Sequence, residues 1–401
     1  MLPKLKMALA TGVALAGLSG AAMAADVKFG FLGGVTGPIE SLVPPIIDGA
    51  KLAATHVNAQ GGLMDGQTIE VIVGDTTCAD ATKAADAADR LVNVENVSAI
   101  VGALCSGATI SAANNAGIPG GVAMISPAST SPALTTLDDK GLVSRTATSD
   151  ASQGPVLASV IMAAGIKNVA VTYVNNDYGK GFADSFEAGF TAAGGNVASS
   201  EAHEDGKADY RAEIGSLSAT GAEALVILAY ADGSGQTILR QALEGGDFDA
   251  FYGGDGMVSQ TLADNVPAAE GKIIMTRQAN PETPASQAFN VGATEAGLDP
   301  NATYIGNSYD AAFILALAAE KAGSTDRAAI AAAVREVANE PGETILPGEW
   351  EKAKQLIAAG TDINYYGAAG SQDFDENGDV PGVFETMAIE DGKLMSTGTA
   401  E

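Results

Sequence analysis

Short apolar runs typical of β-strands alternate with helical stretches along most of the chain. Strand candidates lie at 27–32, 69–73, 99–102, 122–126, 169–173 and 224–228, and helical segments lie at 45–60, 80–95, 111–117, 152–165 and 179–193. Strands that are apolar along their whole length and flanked by helices indicate parallel sheets buried on both faces. The alternation therefore predicts an α/β fold.

The sequence holds about ten βα units, which is more than one open sheet usually contains. This number fits either two doubly wound sheets or one barrel. A barrel would carry acids or bases at its strand ends arranged for catalysis, and the sequence shows no such set. Two doubly wound parallel-sheet units are therefore favoured. Alanine-rich segments at 83–90, 311–323 and 327–335 keep helical spacing, and we interpret them as surface helices packed through small residues.

The charge balance excludes two classes of partner. The 401 residues include 21 Lys and Arg against 49 Asp and Glu, so the formal net charge is −28. Nucleic acids and anionic membranes are bound through clustered Lys and Arg, so neither is an expected partner. Only 17% of residues are charged and 46% are hydrophobic, which is typical of a globular protein with a sizeable core.

The N-terminal segment has the pattern of a secretory signal peptide. Two lysines precede an apolar stretch at 7–18, and Ala22-Met23-Ala24 fits a small-x-small cleavage site. A membrane anchor is the alternative, but an anchor needs roughly 20 apolar residues and this stretch is shorter. We predict a signal peptide over 1–24, cleavage after Ala24, export to the periplasm and no membrane insertion of the mature chain.

Cys78 and Cys105 are the two cysteines of the chain. An even number of cysteines in an exported protein favours a disulfide, because that compartment is oxidising. Two buried free thiols are the alternative. A structural zinc site needs four ligands, which the two cysteines do not supply alone.

Familiar catalytic motifs are missing from the sequence. It contains no Walker loop, no Gly-x-Gly-x-x-Gly after the first strand and no Gly-x-Ser-x-Gly elbow. His56 and His203 lack a metal-ligand spacing, and we interpret both as solvated. The sequence therefore predicts a binding protein that is not an enzyme and that uses no cofactor or metal.

Two short polar segments follow neighbouring strand candidates, where an open α/β sheet places its ligand. Cys105-Ser106-Gly107-Ala108-Thr109 follows the third strand, and Ser126-Pro127-Ala128-Ser129-Thr130 follows the fourth. Hydroxyls and unpaired N–H groups at a helix start suit a carboxylate, whereas plain helix capping is the alternative for each segment. Two such turns on neighbouring strands favour a binding site.

These turns belong to a wider set of stretches that resembles a known family. The sequence is similar to the periplasmic leucine/isoleucine/valine-binding proteins of ABC importers, which have a type I periplasmic-binding fold. The other similar stretches are Gly37-Pro38, Asn58-Ala59-Gln60-Gly61-Gly62, Leu104-Cys105-Ser106, Asp177-Tyr178-Gly179, 236–242 and 374–379. The positions of Cys78 and Cys105 match a disulfide of this family.

The resemblance implies two doubly wound lobes joined by three crossovers, with the ligand held in the cleft between them. We place the crossovers near 147–151, 274–279 and 365–371. Lobe I would then comprise 25–147 and 277–370, and lobe II would comprise 148–276 and 371–401.

The resemblance also implies the contacts to the charged ends of the ligand. Ser106 and Thr130 resemble positions that hold the α-carboxylate through hydroxyl and backbone N–H groups. The Ala128 carbonyl and the Thr130 hydroxyl would accept hydrogen bonds from the ammonium, and Asp255 falls where an acid of the second lobe faces that group.

The walls of the implied pocket are aromatic and aliphatic. Tyr178 and Tyr230 resemble wall positions of the second lobe, with an ordinary half-buried core tyrosine as the alternative for each. Leu42, Leu104 and Tyr304 would line the side-chain pocket. Asp255 is shorter than the Glu often found in the family, and Tyr304 adds a hydroxyl, so both would reshape the pocket toward a smaller or more polar ligand.

The implied function is capture of an amino acid, aliphatic or branched-chain, by a monomeric carrier that delivers it to the membrane subunits of an ABC permease. Two alternatives stay open. One is a binding protein of the same fold for an amide, urea or an aromatic acid. The other is a ligand sensor that presents its closed form to a receptor domain.

Overall fold

The computed structural model describes residues 27–64 and 66–400, so the predicted signal peptide and its cleavage site lie outside the described residues. The strands are β1 (Val27–Gly33), β2 (Ile69–Asp75), β3 (Ala99–Val101), β4 (Met124–Ser126), β5 (Val143–Arg145), β6 (Asn168–Val174), β7 (Asn196–His203), β8 (Ala224–Leu228), β9 (Phe251–Gly253), β10 (Ile273–Gln278), β11 (Glu343–Ile345), β12 (Ile363–Gly367), β13 (Gly370–Ser371), β14 (Phe384–Glu390) and β15 (Lys393–Ala400).

Helices connect most of these strands. They are α1 (Val43–Ala59), α2 (Ala81–Asp89), α3 (Ser106–Ala112), α4 (Ile118–Gly120), α5 (Asp150–Ala163), α6 (Asp177–Ala192), α7 (Arg211–Ser218), α8 (Ser234–Gly245), α9 (Gln260–Asn265), α10 (Pro284–Glu295), α11 (Ile305–Ala322), α12 (Arg327–Ala338) and α13 (Trp350–Ala358). Short π-helical segments, Arg90–Val94 and Ala113–Gly117, continue α2 and α3, and a 3-10 turn spans Asp255–Met257.

Two open sheets form the framework of the molecule. The first has the order β2-β1-β3-β4-β5 with all strands parallel. The second has the order β15-β14-β10-β9-β8-β6-β7, in which β14 and β15 are antiparallel additions to a parallel set. All five residues of β8 are buried, as expected for a strand covered on both faces. The predicted α/β fold with two sheets is confirmed.

The chain passes between the two sheets three times. It leaves the first after β5, leaves the second after β10, and returns to the second at β14. The predicted boundary at 147/148 lies between β5 and α5, whereas those at 276/277 and 370/371 fall inside β10 and β13. We use "first lobe" and "second lobe" for the elements packed on each sheet; their sequence limits stay a prediction.

Helix α11 corrects one sequence interpretation. Every residue from Ile305 to Ala319 is buried, so the alanine-rich segment at 311–323 is a core helix and not a surface helix. Small residues allow α1 to approach α11 closely, and a Cβ at Gly49 would collide with the Ile305 carbonyl. The helices α2 and α12 each bury one face only, as predicted.

The interpretation of the histidines as solvated is also wrong. His203 ends β7 and is buried, with Nδ1 2.7 Å from the Thr172 hydroxyl and Nε2 2.9 Å from the Ser234 hydroxyl. Burial lowers the pKa of His203 to about 4. His56 on α1 is half-buried, and its Nδ1 lies 2.7 Å from the Tyr309 hydroxyl.

No helix in the described part of the chain has the length and apolar character that a membrane crossing would require.

Candidate ligand-binding site

The two polar turns of the first lobe lie side by side at the carboxyl ends of β3 and β4. The Ser131 N–H donates to Ser106 Oγ (3.2 Å), and the hydroxyls of Thr109 and Ser129 are 2.7 Å apart. The Ser126 hydroxyl bonds the Ala103 carbonyl, which joins the two turns again. These contacts fix the backbone of both segments within one lobe.

A buried arginine donates hydrogen bonds to the backbone of the second turn. It lies in β5, a strand that the sequence pattern did not predict. Arg145 is 1% exposed and its Nη1 donates to the carbonyls of Ser129 (3.2 Å) and Ser131 (2.9 Å). Its Nε donates to Asp379 at 2.7 Å, so the charge of the guanidinium is paired. The arginine therefore orients the turn that carries Ala128 and Thr130.

Cys78 and Cys105 form a disulfide, as predicted, with their Cα atoms 5.4 Å apart. Cys105 is the N-cap of α3 and immediately precedes Ser106. The bond therefore ties the turn after β3 to the loop after β2, and it restricts the backbone at the predicted carboxylate position.

The second lobe contributes aromatic rings and an acid. The rings of Tyr178 and Tyr230 stack with centroids 5.1 Å apart, and the Asn176 side-chain amide donates to the Tyr230 hydroxyl at 3.3 Å. The Tyr178 hydroxyl donates to Asp255 Oδ1 (3.0 Å) and accepts from the Gly256 N–H (3.1 Å). The structure thus brings three predicted residues of this lobe into one bonded group.

Tyr304 connects this group to the first lobe. It precedes α11, and its hydroxyl donates to Asp255 Oδ2 at 2.8 Å. Its φ of 63° lies in the left-handed region, which bulky residues seldom adopt and which is enriched at functional sites. The Tyr304 hydroxyl, which departs from the family pattern, therefore donates to Asp255, the acid that is shorter than the Glu often found in the family.

Burial dominates the titration of Asp255. It raises the pKa of this carboxyl, and the hydrogen bonds from Tyr304 and Tyr178 oppose that rise. Burial also raises the pKa of both tyrosines, and the nearby Asp255 charge adds to this effect. The tyrosines therefore stay protonated and donate, and a cation beside Asp255 would stabilise the charged form of its carboxyl.

Asp150 is a second buried acid that the sequence analysis missed. It opens α5 and has no exposed surface, and its N–H donates to the Thr130 carbonyl at 2.7 Å. Burial raises its pKa well above the usual value, the Asp255 charge raises it further, and the Thr130 hydroxyl and Arg145 oppose the rise.

Three buried oxygen atoms of Asp150 and Thr130 can accept further hydrogen bonds. Among the described residues, neither carboxylate oxygen of Asp150 nor the Thr130 hydroxyl has a hydrogen-bond partner of good geometry. Buried polar groups are normally hydrogen-bonded, so these atoms mark a place where a ligand or water donates. A Ser-Asp pair at a helix start resembles an ordinary cap, so no local pattern distinguished Asp150 as a binding residue.

The remaining predicted site residues are Leu104, Ala128 and Leu42. Leu104 is buried in the turn between β3 and α3, and the half-buried Ala128 lies in the turn after β4. Leu42 precedes α1 and lines a cavity of about 540 Å³ together with Val258 and Thr303. None of the other predicted site residues lines that cavity.

The lobes touch each other around the site. The Ser131 hydroxyl donates to the Asp177 carbonyl at 2.8 Å, and the Thr303 hydroxyl donates to the Val258 carbonyl at 3.3 Å. Together with the Tyr304 bond to Asp255, these contacts join the two lobes beside the predicted site residues. The structure is therefore that of a closed two-lobed molecule.

Comparison with known proteins agrees with this architecture. Residues 48–391 match the family described as the receptor family ligand binding region. The chain belongs to this family. A related binding protein for leucine, isoleucine, valine, threonine and alanine, from Pseudomonas aeruginosa, is 31% identical over 326 residues, which cover 80% of this chain and 86% of the relative.

Solved structures in the same family superpose over most of the molecule. A leucine binding protein from Thermotoga maritima matches with a TM-score of 0.79 and 27% identity, covering 94% of this chain and 99% of that one. A substrate-binding protein of an ABC transporter from Desulfitobacterium hafniense, solved in complex with Leu, matches with a TM-score of 0.70 and 25% identity over 92% and 99% of the two chains. The predicted family resemblance is confirmed.

Proposed function

We propose that this protein captures an amino acid, aliphatic or branched-chain, in the cleft between its lobes and delivers it to an ABC permease. One observation carries the proposal: the Thr130 carbonyl of a hydroxyl-bearing first-lobe turn accepts from the N–H of Asp150, whose buried carboxyl interacts with the Asp255 charge of the second lobe. An amino acid brings an anion and a cation on one carbon atom, so it satisfies both sides. A ligand with one charge leaves a buried polar group unmet, which costs binding free energy.

The residue roles follow the chemistry of the two sides. Ser106 and Thr130 hold the carboxylate, and the Ala128 carbonyl accepts from the ammonium. Asp255 faces the ammonium from the other lobe, and Asp150 adds a second negative charge beside the Thr130 hydroxyl. The similarity to binding proteins for leucine and other small amino acids supports this arrangement.

The walls select the side chain of the ligand. Tyr178, Tyr230 and Tyr304 form an aromatic surface, and Leu104 adds an aliphatic one, whereas Leu42 acts at the rim. Because the Tyr304 hydroxyl is occupied by Asp255, it does not add a free polar group to the pocket. An uncharged side chain of moderate size therefore fits the site.

The proposed carrier is not an enzyme: it releases its ligand unchanged to the membrane subunits of the permease. We propose that it is exported to the periplasm after cleavage of residues 1–24 and works there as a monomer without a cofactor. The large negative charge lies on the outer faces of the lobes and keeps the carrier dispersed.

Isothermal titration calorimetry tests the ligand class. The protein is first unfolded in denaturant without reductant, dialysed to remove any co-purified ligand, and refolded. Leucine, isoleucine, valine, threonine and alanine are then titrated beside acetamide, urea and benzoate. Binding of at least one amino acid, with no heat from the other three compounds, supports the proposal. Binding only of an amide, urea or benzoate would overturn it.

A permease-loading assay separates a carrier from a sensor. Proteoliposomes that contain the permease and ATPase subunits encoded beside this gene are supplied with the loaded protein and ATP. We expect uptake of labelled amino acid that depends on the binding protein. Amino-acid binding without uptake by those subunits would favour the sensor.

A further inference from the structure

Helix α1 of the first lobe begins at the cleft without a polar cap of its own. Leu42 occupies the N-cap, and its side chain has no atom that accepts a hydrogen bond. Pro44 and Pro45 lie in the first turn and lack an N–H. The positive end of this 17-residue helix therefore faces the second lobe without an acidic residue in its first turn.

Asp232 of the second lobe bonds the residue that precedes this N-cap. Its Oδ2 accepts from the Ser41 N–H at 2.7 Å, and its own N–H donates to the Pro38 carbonyl at 3.1 Å. The hydroxyls of Ser41 and Ser259 are 3.0 Å apart beside this pair. Three interlobe contacts thus converge on the segment that leads into α1.

The negative charge of Asp232 strengthens this contact. An acid beside a helix N-terminus is attracted by the helix dipole, and a hydrogen bond to an ionised acceptor is stronger than a neutral one. Because Asp232 and α1 belong to different lobes, both attractions exist only when the lobes are closed.

Asp232 is also linked to the wall of the candidate site. It lies two residues after Tyr230, whose carbonyl accepts from the N–H groups of Gly233 (3.2 Å) and Gly235 (3.1 Å). The turn that carries Asp232 is therefore fixed to the aromatic residue predicted to contact the ligand.

We propose that Asp232 is a positioning residue that stabilises the closed state, as a latch, by bonding Ser41 and Pro38 of the segment before α1 across the cleft. The inference rests on the proposed function, because the latch holds whichever ligand the cleft encloses. It predicts that loss of the acid speeds ligand dissociation and leaves association nearly unchanged, since the ligand enters the open cleft and the contact forms only when the lobes meet.

The test compares three variants with the unmodified protein. Asp232→Ala removes the acceptor and the charge, Asp232→Asn keeps an acceptor oxygen, and Glu223→Ala removes an exposed acid from the segment before β8 as a matched control. Stopped-flow rates for leucine and the thermal midpoint of the ligand-free protein are measured. Pulsed dipolar EPR between spin labels at Lys83→Cys and Ala219→Cys, one on each lobe, gives the fraction of closed molecules.

We expect Asp232→Ala to raise the dissociation rate about tenfold, Asp232→Asn to raise it about threefold, and Glu223→Ala to leave it unchanged, in line with a charge-assisted hydrogen bond. The closed fraction should fall in the same order, with the thermal midpoint unchanged. A thermal midpoint of the ligand-free protein that falls in the same order would assign Asp232 a structural role and overturn the latch. A dissociation rate of Asp232→Ala within twofold of the unmodified protein would also overturn it.

Failure of the proposed function is visible separately, because the unmodified protein would then bind no amino acid. The EPR distances still decide the latch in that case. Asp232→Ala must lower the closed fraction of the ligand-free protein relative to Glu223→Ala, and equal fractions would overturn it.

Discussion

In the first lobe, the turns after β3 and β4 are held by hydrogen bonds within that lobe, whereas the acid of the second lobe is bonded across the cleft. Ser106 accepts from Ser131, a residue of its own lobe. Asp255 instead accepts from Tyr178 of its own lobe and from Tyr304 of the other. One side of the site is therefore complete before closure, and the other is completed by it.

This difference explains how a ligand would drive closure. In the closed molecule both Asp255 and Asp150 are buried, and burial disfavours their charged forms. A buried charge without a partner is costly, so the closed state without a cation is disfavoured. An ammonium group held on the first lobe offsets that cost. The uncharged turns of the first lobe thus bind the ligand first. Asp150 and Asp255 then make closure of the lobes favourable only when the ammonium of the ligand is present.

The largest expected effect comes from the acid side. We expect Asp255→Asn to weaken amino-acid binding by about 30-fold or more, because removing one partner of a buried charge pair costs about 2–5 kcal/mol. Calorimetric titration with leucine measures the loss, and Asp264→Asn, a change of an acid on α9, is the control. If leucine affinity falls by less than tenfold, the acid of the second lobe does not differ from the hydroxyl turns of the first lobe in the way described above.

A smaller effect is expected on the hydroxyl side. Ser106→Ala removes one hydrogen bond to the ligand carboxylate, which contributes about 1.5–2 kcal/mol, so affinity should fall about tenfold to thirtyfold. Association should slow, because this side receives the ligand first. Ser111→Ala on the same helix is the control. If only the dissociation rate changes in stopped-flow measurements, the order of the two steps proposed above is wrong.

The interlobe bond of Asp255 can be removed alone. Tyr304→Phe keeps the ring and deletes the hydroxyl, and we expect about a fivefold loss of affinity, carried by faster dissociation, because a single hydrogen bond contributes about 1 kcal/mol. Tyr366→Phe in β12 is a matched control. An unchanged dissociation rate in surface plasmon resonance would show that the bond does not hold the lobes together.

The first-lobe turns could be predicted because their apolar strands are short, buried and followed at once by polar residues. The fold class followed from the same alternation. Asp255 and Tyr304 required the family resemblance, since neither belongs to a local pattern that indicates binding. Their mutual bond could not be predicted, because it joins positions on two lobes whose relative placement is not encoded in a local pattern.

Other features were missed for physical reasons that differ from one another. Asp150 follows Ser149 at the start of α5, so local sequence favours a helix cap over a buried acid. Helix α11 is rich in alanine on every face, so its pattern does not separate a core helix from a surface helix. His203 is the last residue of β7, a strand that the sequence analysis did not predict.

The smallest expected effect is a pH dependence that has opposite signs for two ligands. Burial raises the pKa of Asp150 and of Asp255, so lowering the pH protonates carboxyls of the second lobe before ordinary ones. An ammonium is bound by the ionised acids, so leucine affinity should fall as the pH is lowered from 8 into the range in which these acids protonate. The first-lobe hydroxyls do not titrate in this range.

A ligand without the ammonium reverses the sign. The carboxylate of 4-methylpentanoate meets the same hydroxyls but is repelled by the ionised acids, so its weak binding should strengthen as the pH falls. Calorimetry at each pH in buffers of different ionisation enthalpy also counts the protons: leucine should release them on binding, and 4-methylpentanoate should take them up. Parallel pH profiles for the two ligands would place the acids outside the site, and the contrast between the lobes would then have to be abandoned.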